Sequence, residues 1–228
     1  MTIKIGNISI SPTKIICLGR NYIDHIKEMN AQIPKEPVFF AKTINTLITD
    51  NKPIIYPKIL YNDEQRRRLD YEIELAFIIS KKAKNVNQQN AYDQVLGYTV
   101  FLDMTAREMQ VGDRNIKLPW YRSKNFDTFG PIGPKVVSQA EIADPHNLDI
   151  ELKVNGETRQ SSNTRNLIFR IPQIIEYITQ FVTLEEGDII ATGTPGGVGA
   201  VLPGDKIEAS IEKIGTITHP IVLEGSES

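Results

Sequence analysis

Cysteine is almost absent from this sequence. Cys17 stands alone among 228 residues, so no internal disulfide can form and no Cys/His spacing resembles a zinc site; a reducing, cytoplasmic setting is the expectation. An excess of one charge is missing too. Lys and Arg number 26 against 28 Asp and Glu, a net charge of −2, which leaves no basic surplus with which to grip nucleic acid as the main partner. The longest apolar run, Leu75 to Ile79, is far short of the roughly 20 residues of a membrane helix. The N-terminal residues lack the charged and apolar regions of a signal peptide, so no membrane partner is expected. What is present, 40% hydrophobic and 24% charged residues, describes a folded chain long enough to bury roughly 70% of its unfolded surface without staples. No repeat, low-complexity block or linker divides it. One domain is expected over 1–228, with a short β segment over 1–18 and a frayed tail over 224–228.

Short β-like runs dominate. Ile3, Ile5, Ile8 and Ile10 partly alternate with polar residues, Ser11-Pro12 interrupts them, and Lys14–Leu18 follows, which predicts an N-terminal hairpin. Further strands are predicted over Val38–Ala41, Pro53–Tyr56, Leu69–Ser80, Leu96–Leu102, Leu148–Val154, Asp188–Thr192, Lys206–Ile211 and Ile217–Leu223, with turn signals at Asn155-Gly156 and Pro203-Gly204-Asp205. A helix is predicted over Pro172–Phe181, where Ile174, Ile175, Ile178 and Phe181 share one face, and shorter helices over Ile23–Met29 and Met104–Gln110. Strands do not alternate with long helices, so the fold class is α+β and β-rich rather than a doubly wound parallel sheet. The run Arg66-Arg67-Arg68 reads as a solvated loop.

Chemistry concentrates in a few segments. In Leu69–Ile79 a strongly apolar strand carries Asp70, Glu72 and Glu74 on alternate positions, hence on one face. Like charges there repel unless a cation compensates them, and carboxylates suit hard ions such as Mg²⁺, Mn²⁺ or Ca²⁺; the alternative is an edge strand whose acids face water. If a helix begins at Asp103, then Asp103, Arg107 and Gln110 fall on one face; otherwise Asp103 is an N-cap with Arg107 as its ion-pair partner. His25 and Glu28 are i, i+3 neighbours on a predicted helix, either a general base with its orienting carboxylate or a surface pair. The loop Thr192–Gly199 lacks the GxxxxGK[ST] phosphate pattern. Its glycines suit close backbone approach to a small ligand, with Thr194 as a hydroxyl.

Together the segments Gly19-Arg20-Asn21-Tyr22 with His25 and Glu28-Met29, Asp70 to Leu75, Phe101 to Arg107, Ser123-Lys124 with Asp127 and Gly130-Pro131, and Thr192 to Pro195 resemble the fumarylacetoacetate hydrolase superfamily. The likeness runs from about Lys14 to Leu223 and is nearest its single-domain branch of acylpyruvate hydrolases and oxaloacetate decarboxylases. The resemblance implies a mixed β-sandwich roll with a few short helices, usually a homodimer. It implies that Glu72, Glu74 and Asp103 hold Mg²⁺ or Mn²⁺, that Arg107, Gln110, Lys124 and Thr194 contact substrate, and that His25 with Glu28 activates water on a closing segment. Thr43 and Asn45 stand where relatives commonly place proline and serine, and Tyr61–Leu69 is longer than in close relatives. The expected activity is metal-dependent C–C cleavage of a small 2-keto acid through an enolate, with Lys124 adding electrostatic stabilisation. Alternatives are isomerisation, decarboxylation or dehydration of a related diacid, or a non-catalytic small-acid binding module on the same fold.

Overall fold

The computed structural model describes residues 1–6, 8–28 and 31–226. A seven-stranded mixed sheet forms its centre, in the order Val38–Lys42, Ile15–Gly19, Ile189–Ala191, Ile73–Ile79, Val95–Leu102, Gly130–Ser138, Leu47–Thr49. The first and last strands of that order are joined by only Thr43–Thr46, so the sheet has to curl until its two edges are within reach of one another. A five-stranded sheet (Glu157–Asn163, Asp149–Val154, Lys206–Ile211, Gly215–Leu223, Ile54–Tyr56) packs against it. Smaller sheets are made by Thr105–Ala106, Leu69–Tyr71 and Gly199–Val201, and by the hairpin of Ile3–Ile5 with Ile8–Ile10. Five α-helices lie among the described residues: α1 (Ile23–Glu28), α2 (Lys58–Tyr61), α3 (Arg107–Asn115), α4 (Tyr121–Lys124) and α5 (Ile171–Phe181). The fold is α+β and β-rich, and none of these helices is long and apolar enough to cross a membrane.

The central strand explains why Ile73–Ile79 is apolar without alternation: it is buried on both faces. Leu75, Phe77 and Ile79 join the main core with Leu152, Ile207 and Ile217 of the five-stranded sheet. Ala76 and Ile78 face a second core with Cys17, Phe101, Ile132 and the isoleucines of the N-terminal hairpin. Glu74 has the parity of Ala76 and Ile78 and so projects to the hairpin-covered face. Helix α5 buries Ile171, Ile174, Ile175 and Ile178, each contributing roughly 1.5–3 kcal/mol.

Several expectations are corrected. The hairpin closes between Ile3–Ile5 and Ile8–Ile10, while Ile15–Gly19 pairs instead with Ile189–Ala191 and Val38–Lys42. The predicted strand Leu69–Ser80 is two strands belonging to different sheets, broken at Glu72. No helix begins at Asp103, because Thr105-Ala106 pairs antiparallel with Leu69-Asp70 and delays α3 until Arg107; tertiary pairing overrides local helix signals. The arginine run is not simply solvated: Arg68 Nε binds Asp70 at 2.8 Å, and Arg67 caps the Tyr61 carbonyl and lies over its ring. In the tail, Glu224 is not frayed: its carboxylate accepts from Lys58 N at 2.8 Å and its own N–H donates to Tyr56 O. Met29 of the predicted first helix, and Glu227 and Ser228 of the predicted tail, lie outside the described residues.

Candidate active site

Glu72 and Asp103 sit at the same end of neighbouring strands, since Ile73 pairs with Leu102 and Asp103 N–H donates to Glu72 O at 2.9 Å. Glu74 lies two residues further along. The three carboxylates are buried, and one oxygen from each falls within 4.8 Å of the others. This is neither an N-cap at Asp103 nor a solvated edge strand. Asp70 does not join them: the chain breaks at Glu72, and Asp70 is clamped by Arg68 and by Arg107 Nε, each at 2.8 Å. Arg107 also pairs with Glu72 and donates to Gln110 Oε1 at 2.6 Å. Its ion-pair partners are thus Asp70 and Glu72, not Asp103.

Lys124 Nζ completes the floor, bonded to Glu72 at 3.0 Å, to Thr105 Oγ1 at 2.7 Å and to Asp103. Burial opposes its charge, yet Asp103 and Glu72 outweigh burial and raise its pKa. Glu72 is held well below the usual carboxylate range, because Lys124 and Arg107 overcome the burial that would push it up. Glu74 behaves in the opposite way. Burial, then the charges of Asp103 and Glu72, push it well above that range, and its hydrogen bond is from Gly193 N at 2.7 Å rather than from a cation. Three converging buried carboxylates, one of them without a cationic partner, are a donor set that fits a hard divalent ion.

Two supporting residues escape sequence reading. Lys42, fully buried, donates to Asp103 Oδ1 at 2.7 Å and to the carbonyls of Met104 and Lys124, which fixes the aspartate and the Lys124 backbone together. Thr43 N and Asn45 Nδ2 bind Asn125 Oδ1 and Asp127 Oδ1, so the two unusual residues of this loop anchor the segment carrying Lys124. Gln160 accepts from Ile73 N at 3.1 Å and donates to Thr194 Oγ1 and Pro195 O at 2.9 Å. It ties the break after Glu72 to the Thr194 loop. A lysine ending an apolar strand and a glutamine in a polar one carry no local signal of these distant contacts.

Glu72, Glu74, Arg107, Gln110, Lys124 and Thr194 line one cavity of about 190 Å³, together with His25, Phe40 and Trp120. His25 Nδ1 is 3.6 Å from Glu28 Oε2, beyond a hydrogen bond. Glu28 Oε2 instead accepts from Gly197 N at 3.1 Å, pinning α1 to the glycine loop. Of the nine site residues implied by the sequence, His25, Glu72, Glu74, Arg107, Gln110, Lys124 and Thr194 line this cavity, while Asp103 adjoins it through the carboxylate cluster and Glu28 through its proximity to His25.

A family model described as fumarylacetoacetate (FAA) hydrolase C-terminal matches residues 14–222. An uncharacterised protein of Pyrococcus abyssi is 49% identical, over 97% of this chain and 95% of its own length. The mitochondrial oxaloacetate tautomerase of Xenopus laevis is 42% identical, over 95% of this chain and 69% of its own. Among solved structures, fumarylpyruvate hydrolase from Pseudomonas aeruginosa in complex with Mn²⁺ and pyruvate superposes with a TM-score of 0.88 at 32% identity, covering 98% of this chain and 96% of that one. A 2-hydroxyhepta-2,4-diene-1,7-dioate isomerase from Mycobacterium marinum does so with a TM-score of 0.82 at 36% identity, covering 95% and 77%.

Proposed function

The chain belongs to the fumarylacetoacetate hydrolase family, and we propose that it is the enzyme of a divalent-metal-dependent C–C cleavage of a small 2-keto acid, by acylpyruvate hydrolysis or oxaloacetate decarboxylation through an enolate. The observation that carries this reading is the buried cluster of Glu72, Glu74 and Asp103 at the floor of the cavity, flanked by Lys124 and Arg107. Those three carboxylates would hold Mg²⁺ or Mn²⁺, which would supply Lewis acidity toward a keto oxygen. Arg107 and Gln110, adjoining through their own hydrogen bond, present donors to the substrate carboxylate. Lys124, kept protonated by its acidic neighbours, stabilises the negative charge that grows on the keto oxygen as the C–C bond breaks. In hydrolysis His25 takes the proton of the attacking water, with Glu28 fixing the helix that carries it. In decarboxylation the bond pair left by carbon dioxide passes into the enolate and no nucleophile is required.

The name of the Xenopus relative favours a second reading, interconversion of the enol and keto forms of oxaloacetate by the same donors. The two separate cleanly, since only cleavage releases pyruvate. Removal of His25 in His25→Ala should cripple acylpyruvate hydrolysis far more than oxaloacetate decarboxylation; equal losses contradict the division of roles. A homodimer accompanies the reading on the strength of the family likeness, and a cytoplasmic location on the strength of the lone Cys17; light scattering tests the first.

A further inference from the structure

The cations of the cavity divide into two sets. Lys124 and Arg107 are each bonded to buried carboxylates. Arg20 and Arg114 also line the cavity, yet neither has a carboxylate partner among the described residues. Arg114 shares the face of α3 that carries Arg107, Gln110 and Val111, at positions i, i+3, i+4 and i+7, all of which border the cavity. It stands two turns beyond Arg107, roughly 10 Å along the helix, and is exposed where Glu72, Glu74 and Lys124 are buried.

Arg20 comes from a different element, just past the strand Ile15–Gly19, with φ +57°. That left-handed backbone is imposed by its neighbour: Asn21 donates to Phe169 O and Thr192 O and accepts from Phe169 N. Glycine or asparagine would meet this conformation with less strain, so what the position gains from arginine is its side chain. The same cavity also has an apolar lining, formed by Leu18, Phe40, Val111 and Trp120.

We propose that Arg20 and Arg114 form a distal anion subsite that selects 2-keto acids ending in a second carboxylate beyond an apolar spacer. The assignment rests on the keto-acid reading of the floor and adds the far end of the substrate and the residues that read it. Two guanidiniums from separate elements, without carboxylate partners among the described residues, supply charge-assisted, planar donors to a terminal carboxylate, and the apolar lining accommodates the carbon chain that separates it from the keto-acid head.

The test is equilibrium binding of 2-oxoadipate and its 6-methyl ester to the Mg²⁺-loaded protein by calorimetry. Wild type should bind the diacid about tenfold or more tightly than the ester, the range of a charged hydrogen bond. Arg114→Gln, and Arg20→Asn with its left-handed-tolerant residue, should each shrink that ratio, and together bring it near one. A ratio that survives in the double variant, or a wild type without preference, overturns the subsite. Turnover of acylpyruvates, followed separately, keeps the two readings apart: absent turnover with an arginine-dependent binding ratio removes the proposed reaction and leaves the subsite standing. Turnover with an arginine-independent ratio does the reverse, and a wild type that binds neither ligand removes both.

Discussion

Glu72 and Glu74, two residues apart, are opposite in energetic character. Glu72 is stabilised as a carboxylate by Lys124 and Arg107, so its contribution to stability is present above the usual carboxylate pKa and is lost as pH falls. Glu74 has a raised pKa in the fold, so without metal it costs stability as pH rises from the ordinary carboxylate range towards that raised value. Thermal melts of metal-free protein at neutral pH should therefore place Glu74→Gln above wild type, with the gap closing in acid, and Glu72→Gln below it. Both variants should lose the rise in Tm that Mg²⁺ or Mn²⁺ gives the wild type. Lys42→Met leaves Asp103 with a broken buried pair, at a cost of about 3–5 kcal/mol; for a chain of this size that is roughly 6–20 °C in Tm. The acids were legible in the sequence because charges on an apolar strand are conspicuous. Lys42 was not, because its partners Asp103 and Lys124 are brought to it by the curl of the sheet.

At the scale of elements, strand periodicity located most of the sheets, including Lys206–Ile211 to the residue. It failed where function bends the chain. The break at Glu72 sends Asp70 to two guanidiniums and leaves Glu72 and Glu74 to converge with Asp103, and uninterrupted alternation cannot announce that. The strand Glu157–Asn163 was invisible because it is a polar edge strand whose one fully buried residue is Gln160. Gly130–Ser138 was hidden by its prolines and glycines, which elsewhere mark turns. The glycine loop offers a test of how elements hold the cavity. Gly197 has φ +87°, and a Cβ there would lie 2.2 Å from Arg159 O, so Gly197→Ala must move the loop that receives Glu28. Its Tm should fall and its acylpyruvate hydrolysis should fall more steeply than its decarboxylation; a variant matching wild type in both would show that the Glu28 contact does not matter. Asn21→Ala strands buried partners on Phe169 and Thr192 and should cost about 2–3 kcal/mol in denaturant unfolding.

For the whole molecule, a net charge of −2 offers no basic surplus for nucleic acid, no helix among the described residues is long and apolar enough to cross a membrane, and the placement of a few charges carries the proposed chemistry. Two of the three histidines serve the fold. His146 Nε2 accepts from Ile171 N at the start of α5, and His219 Nδ1 meets Lys52 O at 2.7 Å. Burial lowers both pKa values, so the folded protein holds these rings neutral while the unfolded chain takes up protons near pH 6.5. Their contribution is therefore complete above that value and declines as pH falls below it. Melts of wild type and His219→Gln compared from pH 7.5 to 5.5 should show the wild-type advantage shrinking in acid; a gap that widens contradicts neutral burial.

The central claim is that a divalent ion held by Glu72, Glu74 and Asp103 makes this cavity an enzyme site for 2-keto acids. The most direct measurement is pyruvate release from acetylpyruvate, fumarylpyruvate and oxaloacetate by metal-stripped protein, before and after addition of Mg²⁺ or Mn²⁺, in wild type and Glu74→Gln. The account predicts no turnover by stripped protein, turnover of at least one substrate by the metal-loaded wild type, and none by the variant under either condition. Undiminished pyruvate release from metal-free Glu74→Gln would contradict it.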